Sequence, residues 1–218
     1  MQPPPTEPIK LYRYPLSGHS HRAEMFIRML GLPLALIDVD LLAGAQRQPG
    51  FLRLNRFGQV PVIDDGGVVV ADANAILVYL ALRYAPEHWL PREALQAGSV
   101  QQWLSQAAGA LSRGAATARA INVFHLPRDP QAAVQEAHWL FERIDAALAD
   151  SGGPWLVGGT LPTLADIAIY TYTAHAPEGG VSLDAYPALR DWLRRVEALP
   201  GFAPMAVSAV GLRQRPGT

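Results

Sequence analysis

NRFGQVPVIDDGGVVVADANAILVYLALRY, residues 55–84, joins a Val-Pro peptide, a glycine-punctuated hairpin and the start of an amphipathic helix. Val60-Pro61 stands directly before a strand-like run, where proline removes a backbone donor and a cis peptide would re-aim the chain. Asp64-Asp65-Gly66-Gly67 predicts the turn between Val62-Ile63 and Val68-Val69-Val70. Asp72-Ala73-Asn74 then opens a helix whose apolar residues, Ala73, Ile76, Leu77, Leu80 and Tyr84, share one face. A helix start presents unpaired N–H groups and a positive dipole end, which suits a carboxylate.

Working back from this stretch, residues 9–14 and 34–39 read as strands and residues 19–30 as a helix that stops at Gly31, with Pro33 just beyond. A polar, irregular segment over 43–58 leads into the hairpin. The order β-α-β, then β-β-α, predicts an α/β sheet layer. Working forward, strand signals end near Pro91. Ala137, Leu140, Phe141, Ile144 and Leu148 are spaced for one helix face, as are Leu189, Trp192, Leu193 and Val196. Residues 167–172 are apolar on nearly every side, as in a central helix, and Thr163 with Asp166 fits a capping box. The domains are therefore a Pro-rich lead-in over 1–8, an α/β domain over 9–85, a linker over 86–91 with two prolines, and an all-α domain over 92–218.

Composition narrows the function. Of 218 residues, 50% are hydrophobic and only 17% charged, below the roughly 25% usual for soluble domains, so much helix surface is expected to be covered. With a net charge of −1 and scattered basic residues, neither nucleic acid nor an acidic membrane surface is an expected partner. No apolar run approaches the roughly 20 residues of a membrane helix, and the start has no secretory pattern, so a cytoplasmic location is expected. Cysteine is absent, which removes disulfides, zinc-thiolate sites and a protein-borne thiol nucleophile.

The stretch 55–84, with Tyr14-Pro-Leu-Ser-Gly-His-Ser-His-Arg22 upstream, resembles the cytosolic glutathione S-transferases, in particular the serine-type zeta, phi and theta-like branches. The resemblance covers roughly residues 9–205. It implies a thioredoxin-like first domain, an all-helical second domain and a homodimer pairing the N-terminal half of one subunit with the C-terminal half of the other. It also implies glutathione as co-substrate, no metal, and a detoxification-type conjugation of the glutathione thiolate to a small, mostly apolar electrophile.

Residue by residue, Ser17 would be catalytic, donating a hydrogen bond to the glutathione sulfur. The bland alternative is a helix-capping serine. His19 could assist it or simply occupy a helix end. Gln46 and Arg47 match positions that hold the glycine carboxylate. Gln59 and Val60 match more firmly, the Val60 backbone pairing with the cysteinyl backbone like one extra rung. Asp72 and Ala73 match the acidic-Ser pair that takes the γ-glutamyl end, but Ala73 lacks the hydroxyl. In the helical half, Trp103, Arg113, Arg119 and Tyr172 are candidates for a co-substrate pocket. The His19-Ser20-His21 cluster lacks the carboxylate motif that would complete a metal site.

Two other functions fit the same residues. One is a glutathione-dependent isomerase of maleyl-type diacids, which would need extra cations in the pocket. The other is a non-catalytic binding or scaffold protein, supported by Ala73. Thiol-disulfide exchange is disfavoured because no protein cysteine exists to form the mixed disulfide.

Overall fold

The computed structural model describes residues 3–150, 152–206 and 208. The first two residues of the expected lead-in, residue 151, and residues 207 and 209–218 of the expected helical domain lie outside the described residues. The chain divides into two units. One reaches to Leu90 and takes back Leu199–Ala206; the other is built on Pro91–Ala198.

The first unit runs β1 (Ile9–Arg13), α1 (Gly18–Met29), β2 (Leu34–Asp38), α2 (Pro49–Leu52), β3 (Val62–Asp65), β4 (Val68–Ala71) and α3 (Ala73–Tyr84). The strands lie in the order β2-β1-β3-β4. β1 and β2 are parallel, so a crossover must join them, and α1 supplies it. The β1–β3 and β3–β4 pairs are antiparallel. The buried Arg22 side chain ties the two helices, its Nη1 donating to Asn74 Oδ1 at 2.8 Å.

The hairpin turn is tighter than the sequence suggests. Gly66 and Gly67 alone make it, with φ of 59° and 93°, which is backbone that the two-residue hairpin loops favour. Asp64 and Asp65 extend β3 instead. The reason lies in α3: the buried Asp65 carboxylate accepts hydroxyl hydrogen bonds from Tyr79 and Tyr84, both at 2.7 Å, and pairs with Arg83 at 3.3 Å.

The segment read as irregular carries a 3₁₀ turn, Ala45–Arg47, and α2. It is held down by a small apolar cluster of Val39, Phe51 and Val62, with the Tyr12 ring edge-on to Phe51 at 6.4 Å. The expected linker is ordered as well. Glu87–Trp89 forms a 3₁₀ turn, and the buried Trp89 packs edge-on against Phe26 at 5.1 Å, which keeps the chain in the first unit up to Leu90.

The second unit consists of α4 (Ala94–Ala108), a π-helical turn (Ser112–Ala116), α5 (Thr117–Phe124), α6 (Pro130–Asp150), α7 (Leu164–Ala174) and α8 (Pro187–Glu197). α7 is the expected central helix, buried from Leu164 to Thr173. Its capping box is present: Thr163 accepts at its N-terminus and Asp166 reaches back to the Thr163 N–H at 2.8 Å. Asp166 also accepts from Trp192 Nε1 at 2.8 Å, so one carboxylate fastens α7 to α8. Small residues between α4 and α5 serve packing. A Cβ on Gly114 would lie 2.7 Å from the Ala137 nitrogen, so α6 crosses there only because the residue is glycine. Among the described residues, no helix is long and apolar enough to cross a membrane.

Candidate functional site

A groove of about 790 Å³ opens in the first unit, large enough for a tripeptide-sized ligand. Ser17, His19, Gln46, Gln59, Val60, Asp72 and Ala73 all line it, so seven of the sequence-derived candidates from four separate segments come together there. Arg47 does not line it and is exposed on the 3₁₀ turn, whose geometry turns Gln46 inward and Arg47 out.

Each wall has a local cause. Ser17 is the N-cap of α1: φ −85°, ψ 116°, with its hydroxyl oxygen accepting from the Ser20 N–H at 3.2 Å. That bond uses a lone pair and leaves the hydroxyl proton free to donate. Capping and catalysis are thus not exclusive readings of this serine. Beside it, the half-buried His19 imidazole is held down to about 3 from its ordinary value of 6.5, first by desolvation and then by the Arg22 guanidinium. It is therefore neutral at pH 7 and is no counter-ion for a thiolate.

Val60 precedes a cis peptide to Pro61, and the β3 ladder begins two residues later at Val62. Among the described residues, neither backbone polar group of Val60 has a partner. This is an unused rung, open to an extended peptide. Asn55 builds the loop behind it: buried, it donates from Nδ2 to the Gln59 carbonyl at 2.8 Å and accepts the Phe57 N–H at 3.0 Å.

At the far wall, Asp72 holds φ 80° and ψ 131°, a region glycine favours, at a cost on the order of 1–3 kcal/mol. Its Oδ1 accepts from the Asn74 and Ala75 N–H groups at 2.9 and 3.0 Å, and its carbonyl accepts from Ile76. The Ala73 N–H is left over at the start of α3, facing the groove, where a carboxylate gains from the helix dipole. Asp72 Oδ2 is available to an ammonium. Gln46 Oε1 is a buried acceptor that no described residue satisfies.

Sequence reasoning missed Asn55, Arg56 and Phe57, which also line the groove. Arg56 is the lining cation, and Phe57 stands at the rim with 77% exposure. Asn55, with Gly58 three residues on, carried a turn signal that could have been read. Nothing in the local sequence singles out Arg56.

Among the described residues, the four helical-half candidates are dispersed over the second unit. Trp103 lines a groove of about 430 Å³ between α4 and α6, with Trp139 and Arg143. Arg113 is on the surface, paired with Glu136 at 2.7 Å. Arg119 is corrected from pocket wall to core brace. It is 1% exposed, its Nε donates to Glu178 at 2.7 Å, and its guanidinium lies 5.9 Å from the centre of the Phe124 ring, so its charge is taken up inside the unit. Tyr172 lies buried in α7. Among the described residues, no group of three or more His, Asp or Glu is placed to hold a metal.

The sequence model for "Glutathione S-transferase, N-terminal domain" matches residues 7–82, and that for the C-terminal domain matches residues 117–200. Glutathione S-transferase 3 of Zea mays is 32% identical over 97% of this chain and 98% of its own length. Glutathione S-transferase Z1 of Arabidopsis thaliana is 39% identical over 87 residues, 40% of this chain and 39% of its own. The crystal structure of a glutathione S-transferase from Pseudomonas fluorescens superposes with a TM-score of 0.84 at 30% identity, covering 92% of this chain and all of that one.

Proposed function

The chain belongs to the glutathione S-transferase family, and from that premise we propose that it joins glutathione to small, mostly apolar electrophiles with Ser17 stabilising the thiolate. The observation that carries the reading is the pairing, in one groove, of a hydroxyl whose proton is free with an unladdered backbone rung at Val60.

Glutathione is an extended tripeptide with a carboxylate and an ammonium at one end and a second carboxylate at the other. The γ-glutamyl carboxylate sits on the Ala73 N–H and its ammonium on Asp72 Oδ2. The cysteinyl backbone pairs with Val60, and the glycine end reaches Gln46, with Gln59 beside the backbone rung. The sulfur then lies at the start of α1. A free thiol ionises near ~8.5, so only a few per cent is thiolate at neutral pH. The Ser17 O–H and the α1 dipole need to supply about 2.7 kcal/mol to lower that by two units, within reach of a charge-assisted bond plus a helix end. The thiol proton leaves to solvent. The sulfur lone pair forms the C–S bond, and either a leaving group departs with its electrons or, for an activated alkene, the resulting carbanion takes a proton from water.

Addition of glutathione to the protein at neutral pH should develop the ultraviolet absorbance of a thiolate, and an aryl halide should then consume it. A glutathione-dependent isomerisation of a maleyl-type diacid is the second reading. It draws support from Arg56, a guanidinium on the groove wall of the kind a diacid needs beside the bound thiol. Turnover of such diacids, abolished in Arg56→Ala, is its test. We place the protein in the cytoplasm as a homodimer, in keeping with the family; exposed apolar side chains such as Phe57 and Leu42 give an interface material to cover. Light scattering at micromolar protein checks the dimer.

A further inference from the structure

Among the buried polar side chains of α1, one reaches a distant part of the chain. His21 is 5% exposed, and its Nε2 lies 2.7 Å from the Ala203 carbonyl oxygen, 182 residues later in the chain. A carbonyl only accepts, so Nε2 carries the proton and donates. Ala203 belongs to Leu199–Ala206, the segment that rejoins the first unit. This strap touches α1 at both ends. Near the end of the helix, a Cβ on Gly201 would lie 2.8 Å from the Arg28 oxygen and 2.8 Å from the Met29 Cα, so the strap backbone rests directly on the helix backbone. At the first turn, Pro204, Met205 and Ala206 share a small cleft with Tyr14 and Pro15 of the loop that carries Ser17.

That loop and turn form a closed set of bonds. Ser17 N–H donates to the Tyr14 carbonyl at 2.9 Å, and Tyr14 N–H to Ser20 Oγ at 3.3 Å. Ser20 N–H donates to Ser17 Oγ at 3.2 Å, and His21 N–H to the Ser17 carbonyl at 2.9 Å. His21 is therefore one bond from Ser17 through its backbone and one bond from the strap through its ring. We propose that His21 is a positioning residue for Ser17: by clamping the C-terminal strap to the first turn of α1, it holds the Ser17 hydroxyl on its line to the glutathione sulfur. The inference rests on Ser17 being the thiolate donor. A misdirected hydroxyl would spoil thiolate stabilisation and leave the other groove contacts, at Val60, Asp72 and Ala73, in place.

The test compares His21→Gln, which keeps an N–H donor of similar reach, with His21→Leu, which keeps the bulk and removes the donor. Three readouts separate positioning from general loosening: the pH at which bound glutathione ionises, kcat with an aryl halide, and calorimetric affinity for S-methylglutathione, which has no thiol to stabilise. In His21→Leu the bound thiol should ionise at higher pH and kcat should fall roughly two- to tenfold, the worth of one misplaced hydrogen bond, while S-methylglutathione affinity stays within about twofold. His21→Gln should restore the wild-type profile. An unchanged ionisation pH in His21→Leu, or a glutamine variant as impaired as the leucine one, overturns the proposal. Should His21→Leu not fold, Gly201→Ala lifts the strap with His21 intact and must move ionisation the same way. If it does not, the proposal is wrong. A wild-type protein that binds glutathione without ionising it overturns the Ser17 reading and this one together; a wild type that ionises it beside an unaltered His21→Leu overturns this one alone.

Discussion

Replacing Ser17 by alanine removes two things that the structure keeps on one oxygen. The first is the N-cap of α1, where Ser17 Oγ accepts from Ser20 N–H at 3.2 Å. Losing such a cap costs about 1 kcal/mol, which for a chain of this size lowers the melting temperature by about 2–4 °C. The second is the free hydroxyl proton on the groove. A hydrogen bond to a charged partner is worth about 1.5–3 kcal/mol, or about one to two pKa units. If the bound thiol ionises near ~6.5 in the wild type, roughly three quarters of it is thiolate at pH 7. Raised by one to two units, that share falls to roughly 24% or 3%, and turnover at saturating glutathione falls roughly three- to twenty-five-fold. The loss should shrink as pH rises past about 8.5, where the thiol ionises unaided. Glutathione affinity should change little, since the lost bond serves ionisation. Ser17→Gly separates the two effects, because glycine caps almost as well as serine. It should melt near the wild-type temperature and share the alanine variant's kinetic loss. The assay is thiolate absorbance of the glutathione complex against pH, with turnover of an aryl halide alongside. An alanine variant whose bound thiol ionises at the wild-type pH would refute the assignment.

Other perturbations test the neighbouring walls. His19 is held neutral down to about 3 against an ordinary 6.5, so the unfolded chain takes up its proton first as pH falls. The stability this contributes is complete above pH 6.5 and drains away from there down to about 3. His19→Gln should flatten thermal melting against pH across that window, and an equal slope in both proteins would contradict the shift. Ala73→Ser restores the hydroxyl of the family pair and should tighten glutathione by about two- to tenfold in calorimetry. Asp72→Asn keeps an oxygen to cap α3 but removes the charge offered to the ammonium; glutathione affinity should fall with melting nearly unchanged. Arg119→Met removes the arginine partner of the buried Glu178, leaving it only His175 Nδ1 at 2.7 Å, and should cost about 3 kcal/mol in urea unfolding.

The sheet, its two helices and the central buried helix were legible because period and punctuation agree there: Ile9 and Leu11 alternate inward, Gly31 stops α1, and residues 167–172 have no polar face. The hairpin turn was misplaced because Asp64 and Asp65 look like turn residues, and only α3 reveals that Tyr79 and Tyr84 donate to Asp65. The ordered 43–58 segment and the 3₁₀ turn at Trp89 owe their structure to tertiary partners, Tyr12 and Phe26, that lie far away in the sequence. Seven of the groove-lining residues were named residue by residue from the family resemblance. Arg47 stands outside the groove lining because a 3₁₀ turn decides which of two adjacent side chains faces in. Arg119 failed because a lone arginine among alanines reads equally as ligand contact or buried brace until Glu178 is found 59 residues on. The strap is the least legible element, since nothing in residues 199–206 announces that they return to α1.

Everything claimed for the groove depends on the tripeptide binding despite Ala73, so the most direct test is a calorimetric titration of the purified protein with glutathione at neutral pH. Saturable heat in the micromolar-to-millimolar range, abolished or strongly weakened in Asp72→Ala, is the predicted result. No heat and no shift in melting temperature at millimolar glutathione would contradict the account and leave a fold that keeps the family's architecture without its chemistry.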